Sequence, residues 1–93
     1  MKKKKIIETS KLFDQEWYMN QYGEVKESGI DPAVHYLTIG WKKGYWPGPQ
    51  FDGDNYLEVN QDVKKANMNP LLHYELRARK ENRKGGIFKI KNK

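Results

Sequence analysis

The sequence predicts an all-α fold built from two tandem 38-residue helical units, and three observations carry the prediction. First, the chain repeats itself at a fixed offset: Phe13-Asp14 returns as Phe51-Asp52, Tyr18 as Tyr56, Val25 as Val63, Pro32 as Pro70, and His35-Tyr36 as His73-Tyr74. An offset that never slips requires both units to fold to one length, which is how a repeat array announces itself. Second, each unit carries two helix-start signals, an Asp ahead of a short run and then Asp31-Pro32 or Asn69-Pro70. Third, the apolar residues after those prolines are spaced for amphipathic helices too short to bury their faces alone, so stacking must supply the core.

Taken in order, residues 1–9 read as a basic N-terminal tail, because Lys2 to Lys5 are followed only by Ile6 and Ile7 before Glu8. That apolar run is too short for a signal peptide or a membrane span. Residues 10–47 form unit 1. Asp14 is placed to accept hydrogen bonds from the first turn of a helix over 15–22, with Phe13 and Tyr18 spaced as a hydrophobic staple. Trp17 is assigned to the core on the same helix. The run Gly23 to Gly29 holds one apolar residue, Val25, and reads as a bent connector ending in a left-handed residue, with Asn67 taking that role in the second copy. Asp31-Pro32 is an N-cap acceptor followed by proline at the first helical position, where its missing N–H costs nothing. The helix it starts carries Ala33, Val34, Tyr36, Leu37 and Ile39 and ends near Gly40 to Gly44.

The segment Tyr45-Trp46-Pro47-Gly48-Pro49-Gln50 cannot continue a helix and reads as an extended joint between units. Residues 48–84 form unit 2, in which Gly40-Trp41-Lys42-Lys43-Gly44 becomes Ala78-Arg79-Lys80-Glu81-Asn82. Strong helix formers replace both glycines there, so the last helix is expected to run to about Arg83. Residues 85–93 read as a basic, flexible C-terminal tail. The expected architecture is therefore four helices, two per unit, in one small domain with aromatics dominating a modest core.

The chain carries a net charge of +6, divided as +3 over residues 1–9, −4 over residues 10–76 and +7 over residues 77–93. An acidic body with basic ends disfavours specific nucleic-acid recognition, although Arg77, Arg79, Lys80, Arg83 and Lys84 form a basic patch that phosphates could neutralise. The alternative function is accordingly a small nucleic-acid or ribonucleoprotein-binding protein using residues 77–93. An anionic membrane surface suits the same charges. The chain has no cysteine, which leans towards a reducing compartment, so a cytoplasmic location, at most peripheral to the inner face of the membrane, is expected.

No nucleophile, phosphate-binding loop or metal-ligand set is evident, so neither catalysis nor a cofactor is expected. His35 and His73 could serve as metal ligands or an acid/base pair, but their equivalent places one turn inside two helices favour a locking hydrogen bond to a neighbouring loop. Asp14, Asp52, Asp31 and Asn69 are explained by capping. Trp41, Tyr45 and Trp46 cluster at the joint, where they either pack between units or hold a glycan or protein partner.

The strings Phe-Asp-x-x-Trp17/Asn55-Tyr, Tyr22/Asn60-x-x-Val and Asp31/Asn69-Pro-x-x-His-Tyr, with Gly40-Trp41-Lys42-Lys43-Gly44 in unit 1, span residues 12–84. This pattern resembles a short helical repeat that accompanies bacterial glycosyltransferases and rhamnan-synthesis-type proteins of surface-polysaccharide assembly. The resemblance implies a non-catalytic module in cell-surface glycan synthesis, an adaptor contacting a partner protein, a polysaccharide or an anionic membrane surface. Because repeat arrays usually need about three units, self-association through the open repeat end is also expected.

Overall fold

The structure is a computed structural model that describes residues 2–78. Within them lie seven α-helices: α1 (Lys2–Thr9), α2 (Gln15–Gln21), α3 (Gly23–Ser28), α4 (Pro32–Thr38), α5 (Gly53–Val59), α6 (Gln61–Lys65) and α7 (Pro70–His73). A 3-10 turn at Gly40–Lys43 follows α4, and a π-helical turn at Tyr74–Ala78 follows α7. The chain is all-α over these residues, with a single isolated bridge between Gly48 and Phe51.

The caps explain where the longer helices begin. The Asp14 carboxylate accepts the Trp17 N–H at 3.0 Å and the Asp52 carboxylate the Asn55 N–H at 3.1 Å. Each satisfies a first-turn donor that would otherwise lack a partner. Ahead of them, Phe13 lies 6.0 Å from Tyr18 and Phe51 5.6 Å from Tyr56 between ring centroids, fixing the entry angle of the chain. Asp31 accepts from Ala33 and Val34 N–H, and Asn69 accepts from Leu72 N–H at 3.0 Å.

Two segments expected to be irregular are helices. The connectors fold as α3 and α6, giving three helices rather than two in each half. At six and five residues they are below the length that is stable alone, so burial of their one apolar side chain, Val25 or Val63, holds them. A left-handed residue follows each, Gly29 with φ 74° as the cap of α3 and Asn67 with φ 56° one residue past the Ala66 cap of α6. The N-terminal lysines are not a tail either. They form α1, which packs against α4 and α7 with Ile7 fully buried. Four lysines at a helix start oppose the helix dipole, so α1 owes its form to tertiary contacts. These include Lys4 at 3.7 Å from Asp31, and Ser10, just past the helix, donating to Glu75 at 2.6 Å.

The joint is tighter than an extended crossing. Gly44, at φ 83°, closes the 3-10 turn, and the Pro47 carbonyl then accepts the Asp14 N–H at 2.9 Å. Gly48 lies so close to this segment that a methyl there would collide with the Leu12 carbonyl oxygen. After α7 the chain widens into the π turn, and the expected extension to Arg83 lies outside the described residues.

The core is aromatic. Tyr36 sits at its centre, 6.5 Å from Phe13 and 5.9 Å from Tyr18, and reaches the second half where Gly53 packs on Pro70. Trp17 does not join it. This side chain is half-buried and lies edge-on against Tyr22 at 6.2 Å, because the inward face of α2 is already filled by Tyr18.

Candidate binding groove

The two histidines occupy matching buried positions. Tyr18 Oη and His35 Nδ1 are 2.8 Å apart, as are Tyr56 Oη and His73 Nδ1. The partner in each case is a tyrosine of the preceding long helix, not a neighbouring loop. Gly40 makes the first pair possible, since any side chain there would collide with the Tyr18 hydroxyl. Burial holds the His35 imidazole below its ordinary value of 6.5, outweighing the opposing pull of Glu24. Burial likewise pushes the Tyr18 phenol well above its ordinary range, so the pair is neutral near pH 7. Among the described residues no group of three or more His, Asp or Glu is gathered to hold a metal ion.

The joint aromatics separate into two environments. Tyr45 stacks flat on Tyr22, with centroids 3.8 Å apart and planes 1° from parallel, and donates to Glu24 at 2.7 Å. Lys43 completes the cluster at 2.9 Å from the same carboxylate. The Lys43 and Tyr45 hydrogen bonds hold the Glu24 carboxyl below its usual range, and Glu24 in turn raises the Tyr45 phenol. The Trp46 backbone N–H donates to Tyr22 Oη at 2.9 Å. Tyr45 and Trp46 are thus tied into the first half.

Trp41 faces elsewhere. It lines a groove of about 970 Å³ between the end of α4, the 3-10 turn, the α6–α7 loop and the first turn of α1. Leu37, Trp41, Met68, Leu72 and Leu76 make its surface predominantly apolar. Lys2, Lys3 and Lys42 stand on it, with the Lys42 ammonium 5.8 Å from the centre of the Trp41 ring, and among the described residues no carboxylate lines it. Leu76 remains 46% exposed, an apolar side chain that the described fold does not cover.

Asn69 also lines this groove. Its Oδ1 caps α7, while its Nδ2 is buried without a hydrogen-bond partner among the described residues. A buried amide donor left unmatched costs about 1–3 kcal/mol unless something supplies an acceptor. The equivalent position in the first half, Asp31, carries a carboxylate, which pairs with Lys4.

Sequence reasoning placed Trp41 among the binding candidates but missed the rest of the groove. In the sequence Lys2 and Lys3 read as part of a tail and Leu37 as a helix-face residue, and only the packing of α1 brings them together with Met68 and Leu72. The Ile6-Ile7 pair was the available signal that this lysine run is anchored. Of the expected basic patch, Arg77 is exposed in the π turn, and Arg79, Lys80, Arg83 and Lys84 lie outside the described residues. In comparisons with known proteins, no family model matches the chain, and no curated protein or solved structure matches it either.

Proposed function

We propose that the chain is a non-catalytic binding module of two 38-residue helical units, related to the repeats that accompany bacterial surface-polysaccharide glycosyltransferases, and that it engages its partner through the Trp41 groove. The carrying observation is the contrast between the two sets of tempting residues. The histidines, capping acids, Tyr45 and Trp46 all have partners inside the fold. The groove instead presents Trp41, a half-exposed Leu76 and three ammonium groups. Apolar surface with a few convergent polar groups is the general character of a ligand site.

The recurrence of Tyr18–His35 as Tyr56–His73 at the same 2.8 Å supports the two-unit reading. In each unit the first helix is clamped to the third, α2 to α4 and α5 to α7, by a buried Tyr–His pair, leaving the seam between units to recognise the partner.

The test is a variant pair. Oligosaccharides and helical peptides are screened for binding, and the strongest ligand is measured against Trp41→Ala and Trp46→Ala. Trp41→Ala is expected to lose most of the affinity with helical content unchanged, and Trp46→Ala to bind normally if folded. Undiminished binding by folded Trp41→Ala contradicts the reading.

A further inference from the structure

Resting on the reading of the Trp41 groove as the binding surface, we infer that its occupant is an acidic amphipathic helix of a partner protein, whose apolar face covers Trp41 and Leu72 while its carboxylates meet Lys2, Lys3 and Lys42. Two observations select this chemistry. The groove surface is mostly apolar, which suits a helix laid in by its apolar stripe better than a hydroxyl-rich sugar. Among the described residues its charged groups are all cationic, with no carboxylate opposing them, so it complements an acidic flank and repels a basic one.

Residues 77–93 of the chain itself, at net +7, share the sign of the groove's ammonium groups and so do not supply its complementary charge. A second copy would bring its own Lys2, Lys3 and Lys42 against the first if the two grooves met face to face. Partner carboxylates near Trp41 would also compete for the Lys42 ammonium that now lies over the indole, so binding is expected to change the indole fluorescence.

The experiment uses the full chain and a displayed library of amphipathic helical peptides of about four turns, varied in the charge of their flanking positions. The expected result is enrichment of Glu- and Asp-flanked peptides, with affinity falling as salt rises. Lys3→Glu combined with Lys42→Glu should weaken a selected peptide by about tenfold or more and bind its lysine-flanked counterpart instead. Both positions are exposed, so the variant is expected to fold, and circular dichroism checks that.

Groove-bound peptides that are neutral or basic overturn the inference while leaving the groove as a binding surface. Failure of any peptide to compete at Trp41, with anionic phospholipid vesicles or an acidic oligosaccharide binding there, overturns the peptide occupant in favour of that ligand. A concentration-dependent dimer abolished by Lys42→Glu overturns it in favour of a second copy. If nothing binds at the groove, the inference fails together with the reading on which it rests.

Discussion

Tyr18 and Tyr36 show at the residue scale how the same side chain takes opposite energetic roles. The Tyr18 hydroxyl is bonded to buried His35, so Tyr18→Phe strands a ring nitrogen and is expected to cost about 1–3 kcal/mol. The Tyr36 hydroxyl is buried with no partner among the described residues; the Leu71 backbone amide faces it but misses hydrogen-bonding geometry. Tyr36→Phe removes that orphaned group with the ring retained, and is expected to be neutral or slightly stabilising. Urea denaturation of the two variants decides this, and equal losses would refute the distinction. The histidine adds a pH signature. His35 is held below 6.5 in the fold, so the unfolded chain binds the proton more readily. Stability attributable to it is present in full above about pH 6.5 and lost as pH falls from there through the depressed folded value. The Glu24 contribution disappears only below the ordinary carboxylate value of 4.5, so the windows separate. A flat profile from pH 7.5 to 5 would contradict the assignment. The caps, staples and left-handed Gly29 and Asn67 were legible in sequence because each is a local backbone requirement. The Tyr–His bonds were not, because they join residues 17 positions apart.

The elements that escaped sequence reasoning are those stabilised from outside. α3 and α6 lack a side-chain N-cap hydrogen bond and are short, and α1 begins against the helix dipole. What holds α1 is Ile7, fully buried where it meets the helices that follow the prolines. Ile7→Ala is therefore expected to cost about 2–5 kcal/mol and to release α1 from its seat. Hydrogen exchange would register this as loss of protection over residues 2–9, and a variant retaining wild-type protection there would show that α1 does not depend on this anchor. Because Lys2 and Lys3 reach the groove only on α1, the same variant should weaken groove binding without touching a groove residue.

At the scale of the whole molecule, charge and packing divide the labour. The acidic body supplies the aromatic clusters, and the basic N-terminus folds over it as α1 to put two ammonium groups on the groove. Composition alone exposed the charge asymmetry but not its purpose, since a lysine run reads as a tail until its isoleucines find a seat. The 38-residue echo marked the scaffold correctly as helix-forming, while the groove falls where the echo breaks, at Gly40-Trp41-Lys42. The most direct measurement of the central claim is a heteronuclear NMR titration of the full chain with a helical peptide selected against it. Chemical-shift changes are predicted to centre on Leu37, the Trp41 indole, Met68 and Leu72, leaving the resonances of Trp17 and Trp46 in place. Changes centred on Trp17, Tyr45 or the residues beyond 78, with the Trp41 indole unmoved, would contradict it.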